Sequence, residues 1–341
     1  MEKIKVLSIM HLDQFDSCVK GSMPSHKMWG LYELSKREDI NLKIISFNSS
    51  KLDILLNIIR FKPDIVYLPF FDSLNFIYAF LFKSLHILNF KVISLCHFTI
   101  IPRSLRGKIF WKLFYNCIDK MVFFSPKSKD ECVNHGLMKD SDCSIIHWGI
   151  DLNWINTHVE PKYSDYFVST GKENRDFKTL ISGFKNSQKQ LIVFTKKENQ
   201  GADYHYLENI DTSDNIKIEF PTWNNSYLQS LILSAHCKAY VIPLIKDRID
   251  YCVGWTSIVE AIALHKKIIS TRNPYYPLDI EKEGIGYYTN PNDPVSWSNL
   301  INNKEITYSS KDYSNFERLS KMYNINVYSN EIYNLIKSIV R

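Results

Sequence analysis

The sequence is poor in the residues that break regular structure. Its 341 residues hold 11 Gly and 12 Pro, too few for a collagen-like, linker-rich or low-complexity chain. No repeat of solenoid length occurs. Seven Cys are scattered at 18, 96, 117, 132, 143, 237 and 252. An odd number with no C-x-x-C gives neither a disulfide framework nor a zinc knuckle, and implies reduced, buried thiols in a cytosolic protein. No apolar run is long enough to span a bilayer. The most apolar segment, LNFIYAFLFKSLHILNF (74–90), is broken by Lys83, His86 and two Asn, so a buried helix is expected there. The N-terminal MEKIKVLSIM lacks a small-residue cleavage site and reads as a strand, not a signal peptide. The acid pairs expected of a metal site are also scarce. DSD (140–142) is a literal Asp-x-Asp, but it stands alone in a polar turn, so no metal is expected.

What is present is a large apolar reserve. Hydrophobic residues make up 45% of the chain and aromatics 14%, enough for a real core. The net charge of +6 lies wholly in residues 1–150, with 20 Lys/Arg against 14 Asp/Glu; the remainder is balanced at 22 each. A basic N-terminal half suits an anionic partner surface or a plain solvated face.

Short, continuously apolar runs recur at 4–10, 42–47, 64–70, 91–97, 120–125 and 143–149. Such runs fit parallel strands covered on both faces, with spacers long enough for crossover helices. The series restarts at 166–170, 190–195, 215–220, 238–244, 266–271 and 284–289. Between them RDFKTLISGFK, WNNSYLQSLILSAH and TSIVEAIALH have helical spacing. The polar, Pro-bearing stretch 151–165 separates the series. The expectation is α/β: two Rossmann-like doubly wound domains facing a cleft, over 1–155 and 156–325. Residues 326–341 form an amphipathic helix that would pack back on the first domain. Ligands of such sheets bind at the carboxyl ends of the strands.

Chemistry is therefore sought after each strand. The turn after the first strand (11–30) is long, and Asp13, Asp16 and His26 are its acid–base candidates. Gly21 there would let backbone N–H groups approach an anion. His97 ends the fourth strand. Residues 101–117, IPRSLRGKIFWKLFYNC, alternate Arg103, Arg106, Lys108 and Lys112 with apolar residues. That pattern suits an anionic membrane surface, or a helix lying on the sheet with its cations reaching water. In YFVSTGKENRDFKTL a strand, Gly171, then Lys172 and Arg175 at a helix start is a phosphate-binding arrangement, with Lys196 following the next strand. In VGWTSIVEAIALH, Ser257 and Glu260 make an S-x-x-E capping box. The same helix start would also offer the Thr256 and Ser257 N–H groups to a phosphate, and Glu260 to a ribose diol.

Taken together and in order, these segments resemble a GT-B glycosyltransferase, most closely glycosyltransferase family four. The resemblance rests on FFSPKSKDECVNHGL, on Gly149-Ile150-Asp151 at the junction, on STGKENRDFKTL, and on the Gly-x-x-Ser-x-x-Glu-Ala pattern from Gly254. It implies a retaining, metal-independent transferase. A hexose would pass from a nucleoside-diphosphate sugar to a saccharide acceptor, lipid-linked and destined for a bacterial surface polysaccharide. By the same resemblance Glu260 binds the ribose and Thr256 and Ser257 meet the diphosphate. Lys172, Arg175 and Lys196 stabilise the leaving group, and His97 contacts the donor sugar. Position 252, where the family has an acid, is Cys252; Asp250 stands two residues earlier. No cofactor and no nucleic-acid partner are expected, and the location would be cytoplasmic or peripheral at the inner face of the membrane. The alternatives are an inverting enzyme with a base at 11–26, a nucleotide-sugar 2-epimerase, and a non-catalytic partner subunit.

Overall fold

A computed structural model describes residues 2–70, 74–185, 187–199, 202–221 and 226–340. The chain divides into two compact units, residues 1–151 with 323–341, and residues 152–322.

The first unit is built on a six-stranded parallel sheet in the order β2-β1-β3-β4-β5-β6. Its strands are β1 (Ile4–Met10), β2 (Ile40–Ser46), β3 (Ile65–Leu68), β4 (Lys91–Cys96), β5 (Lys120–Phe123) and β6 (Cys143–Ile145). Every residue of β3 is buried, as a strand covered on both faces requires. The helices α1 (Leu12–Val19), α2 (Leu31–Ser35), α3 (Lys51–Phe61), α4 (Ile77–Ser84), α5 (Leu105–Asn116) and α6 (Pro126–Asn134) connect them. Local chemistry sets several starts. Ser50 accepts from the Asp53 N–H while Asp53 accepts from that of Ser50, a true capping box. Ser125 caps α6 ahead of Pro126.

Two expectations fail here. The turn after β1 is not an open loop, because α1 and α2 and a short 3-10 turn (Ser25–Met28) occupy it. Nor is the 74–90 helix buried. Phe76, Ala79 and Phe80 fill the available inward positions, and Tyr78, Leu81, Leu85 and Ile87 are left in solvent.

The second unit repeats the plan. Its sheet runs β11-β8-β7-β12-β13-β14, all parallel. The strands are β7 (Tyr166–Thr170), β8 (Gln190–Phe194), β11 (Ile216–Glu219), β12 (Ala239–Ile242), β13 (Lys267–Thr271) and β14 (Gly286–Thr289). A small antiparallel hairpin, β9 (Glu198–Asn199) with β10 (Ala202–Asp203), interrupts the series. The helices are α7 (Leu152–His158), α8 (Phe177–Phe184), α9 (Ser226–His236), α10 (Trp255–Ala263), α11 (Pro294–Asn303) and α12 (Ser310–Met322). Phe167, Phe177, Phe184, Leu191, Val241, Ile269 and Trp297 form its core. The first residues of WNNSYLQSLILSAH (Trp223–Asn225) and the end of the loop after β8 (Gln200, Gly201) lie outside the described residues.

The last helix, α13 (Ile325–Val340), belongs to the first unit. The Ile150 N–H donates to Tyr323 O and the Ile325 N–H to Ile150 O, both at 2.9 Å. A Cβ on Gly149 would stand 2.4 Å from the carbonyl carbon of Asn324. Only glycine lets the returning chain cross there. Tyr328 is fully buried and shares a 3.1 Å hydroxyl hydrogen bond with Tyr67.

Candidate functional site

In the second unit the site grows from the loops after β7 and β12. The chain leaves β7 through Gly171 at φ 114°, against which the Arg175 guanidinium folds. Arg175 then pairs antiparallel with Leu244 in an isolated bridge. Asp176 caps α8 by accepting from the Thr179 N–H at 3.1 Å. This corrects the expected phosphate turn: the first turn of α8 is already served by a carboxylate, which repels another anion.

The buried Arg175 side chain turns instead to α10. Its Nη2 donates to Ser257 Oγ at 3.0 Å and its Nη1 to the Glu173 carbonyl at 2.7 Å. Its Nε is buried with no hydrogen-bond partner among the described residues. Its backbone N–H donates to Tyr204 Oη at 2.9 Å. A guanidinium held by two hydrogen bonds on a backbone that is itself pinned, with an unused donor, is preorganised for a further acceptor.

α10 begins at Trp255, with Gly254 at the N-cap (φ 88°) and no side chain capping it. The first helical hydrogen bond is Ile258 N–H to Gly254 O, so the Thr256 and Ser257 N–H groups precede the intrahelical ladder. The expected Ser257–Glu260 capping box does not form. Ser257 is the third helical residue, and Glu260 lies a further turn in, where it cannot reach a cap N–H. Its carboxylate is buried and accepts from Tyr240 Oη at 3.4 Å. Tyr240 also bonds Thr170 at the end of β7. Burial, then the neighbouring Glu260 charge, holds the Tyr240 phenol well above its ordinary value, so it stays a donor toward Glu260.

Lys172 and Lys196 follow the paired strands β7 and β8, whose ends are tied by Thr195 Oγ1 donating to Gly171 O at 2.8 Å. Surrounding protein first, and then the like charge of Lys196, lowers the Lys172 ammonium below the usual lysine value. Its side chain stays open to solvent. Lys197 is turned away to Glu208 at 2.6 Å. Asp250 is exposed in the loop after β12. Burial pushes the neighbouring Cys252 thiol up to about 12, so it stays neutral at pH 7. The sequence reading missed Tyr240, Tyr204 and Asn273. Asn273 is buried and donates to the Tyr251 and Val253 carbonyls at 2.9 and 3.1 Å, fixing the approach to α10. Its only sequence signal was a place just after β13.

In the first unit, aromatic rings follow successive strand ends: His11, Phe47, Phe70, His97 and Phe124. They meet in a row. His11 lies 5.0 Å from Phe47, Phe47 6.4 Å from Phe70, Phe70 5.3 Å from His97 in a stack, and His97 5.1 Å from Phe124. His97 Nε2 is 2.8 Å from Pro69 O, and its ring meets Trp29 edge-on at 4.7 Å. Asp13 and Asp16 are exposed on α1, and Gly21 (φ 74°) follows that helix. His26 does not serve as an acid–base group. It is fully buried, its Nδ1 accepts from the Asp151 N–H at 3.0 Å, and burial holds its pKa well below the ordinary value. Asp140 and Asp142 pair with Lys129 and Lys120. Among the described residues no group of three or more His, Cys, Asp or Glu is placed to hold a metal ion.

No protein-family model and no curated protein sequence matches the chain. Solved structures do. A glycosyltransferase from Rickettsia africae matches with a TM-score of 0.69 at 14% identity, over 100% of both chains. Anabaena HepE, in complex with UDP-glucose, matches at 0.69 and 13%, over 98% of this chain and 100% of that one. This chain has the GT-B fold. A UDP-N-acetylglucosamine 2-epimerase also matches at 0.55 and 14%, over 97% and 94%. At such identities the likeness establishes the GT-B architecture and not the activity it carries.

Proposed function

We propose that the protein is a glycosyltransferase that moves a hexose from a nucleoside-diphosphate sugar to a saccharide acceptor, with retention and without a metal. The observation that carries the proposal is the convergence at α10. An uncapped helix start, the Arg175 guanidinium on Ser257 and the buried Glu260 carboxylate stand within two turns of one helix. The first two suit a diphosphate and the third a ribose diol.

In this reading the diphosphate lies at the Thr256 and Ser257 N–H groups, with Arg175 Nε and the Lys172–Lys196 pair around it. As the glycosidic bond breaks, negative charge grows on the departing diphosphate. Fixed cations and helix N–H groups stabilise that charge without reorganising, which is electrostatic catalysis. Chelation should then leave activity intact. His97, at its strand end among the aromatic rings, is proposed to contact the sugar, and a lipid-linked saccharide is the proposed acceptor.

Both transferases and 2-epimerases share this fold, so the reaction itself separates them. An epimerase would convert its nucleotide sugar with no acceptor present. An inverting enzyme would need a base in the first unit. The neutral, enclosed His26 weakens that alternative, leaving Asp13 and Asp16; the anomeric configuration of the product decides it. The primary test is a thermal-shift screen of UDP, GDP, ADP and their sugars, because a ligand of the folded state raises apparent stability by mass action. UDP is expected to shift the melting temperature, given the UDP-glucose bound by HepE. No shift with any nucleotide sinks the proposal.

A further inference from the structure

Residues 74–118 contain no Asp or Glu, yet carry Lys83, Lys91, Arg103, Arg106, Lys108 and Lys112. They also hold eleven of the twenty-two large apolar side chains that are exposed among the described residues. α4 and α5 pack on each other through Phe80 and Phe114, with ring centroids 4.9 Å apart, and through Lys83 Nζ donating to Cys117 O at 2.8 Å.

On α5 the inward side is taken by Trp111, Phe114 and Tyr115. The second apolar stripe points outward at i, i+4 and i+8: Leu105 is 75% exposed, Ile109 59% and Leu113 58%. Near the C-terminal end of α5, where α4 meets it, α4 and its following turn present Leu81, Leu85 at 59% and Ile87 at 61%. An outward apolar stripe of this kind is rarely displayed to water without a use for it. Lys83 and Lys91 share the single carboxylate of Asp119. Arg103, Arg106, Lys108 and Lys112 have no acidic partner among the described residues. None of the described helices is long and apolar enough to cross a membrane.

We propose that the α4–α5 face is a membrane-docking surface for anionic lipid. Leu105, Ile109, Leu113, Leu85 and Ile87 enter the acyl boundary, while Arg103, Arg106, Lys108 and Lys112 lie among the headgroups. An apolar stripe bordered by cations is the pattern of a helix lying in the bilayer interface. The absence of any acid over 45 residues removes the repulsion that an anionic leaflet would otherwise exert. In purpose the proposal rests on the transferase reading, since docking would bring the enzyme to a lipid-linked acceptor; in evidence it does not.

The test is co-sedimentation of the full chain with vesicles of phosphatidylglycerol and phosphatidylcholine, and of phosphatidylcholine alone. Binding is expected to the first and to be much weaker to the second. Leu105→Ser/Ile109→Ser/Leu113→Ser should weaken it by roughly a hundredfold. Arg106→Ser/Lys108→Ser should weaken it by roughly tenfold or more, an effect that vanishes in high salt while part of the apolar contribution persists. All five positions are exposed, so both variants should melt as the parent does and keep the parent's UDP thermal shift. No binding at low salt, with the UDP shift intact, overturns the docking proposal and leaves the transferase reading standing. Loss of the UDP shift in the parent, with vesicle binding intact, does the reverse. Undiminished binding of the triple-Ser variant, or equal binding to neutral vesicles, also overturns it. So does a parent that dimerises through this face and ignores vesicles.

Discussion

Glu260 shows how a local motif can mislead about a residue's task. S-x-x-E reads as a capping box, and the chain does use that device at Ser50 and Asp53, where the spacing coincides with a helix start. At Ser257 the helix has already begun three residues earlier from Gly254, so Glu260 accepts from Tyr240 and not from a cap N–H. Glu260→Gln keeps the size and the bond from Tyr240 but loses the charge. Nucleotide affinity should fall roughly 10- to 100-fold with little change in melting temperature, as read by titration calorimetry with UDP. His26 carries a different prediction. Its buried ring resists protonation, whereas in the unfolded chain it takes a proton near the ordinary 6.5. The unfolded state therefore binds more protons once the pH drops below ~6.5. Stability is full above that value and declines below it, by up to about 1.4 kcal/mol per pH unit for this one group. Urea unfolding on either side of pH ~6.5 measures the decline, and His26→Asn should flatten it.

At the scale of elements, the start of α10 is fixed by packing as much as by sequence. Gly254 adopts φ 88°, and a Cβ there would stand 2.6 Å from Tyr276 Oη and 3.1 Å from Ile242 Cγ2. Gly254→Ala must shift the first turn, because both neighbours are buried and neither can withdraw. A loss of about 1–3 kcal/mol is expected from the backbone conformation alone. The UDP-induced thermal shift should shrink with it, because the same turn presents the Thr256 and Ser257 N–H groups. α8 makes the complementary point. Its strand-Gly-basic introduction is as suggestive as that of α10, yet Asp176 fills its first turn. In the proposed reading, this one carboxylate, three residues before Thr179, leaves the phosphate to α10.

For the whole molecule, the alternation of apolar runs and helical spacers was enough to foresee two parallel α/β sheets. Continuous Val, Ile, Leu and Phe over four to seven residues has few other solutions in a chain of this length. Gly149 links the scales. It lies at the junction of the two units, and its missing side chain lets residues 323–325 return and pair with Ile150. Gly149→Ala should displace that crossing and loosen α13 from the first unit, costing about 2–4 kcal/mol. Hydrogen exchange would show lost protection along 325–340 before the sheets are affected.

The sequence by itself determined the sheets, the approximate strand ends and the basic residues near them, because periodicity and composition act locally along the chain. It could not determine which side chains meet. Arg175 and Ser257 are 82 positions apart, Tyr240 and Glu260 come from a strand and the helix that follows it, and Asn273 orders a loop it follows by twenty residues. Nor could it say which apolar helices would be covered. The sheet has room for Phe80 and Phe114 but not for Leu85, Leu105 or Ile109. Only close packing in three dimensions settles where that limit falls.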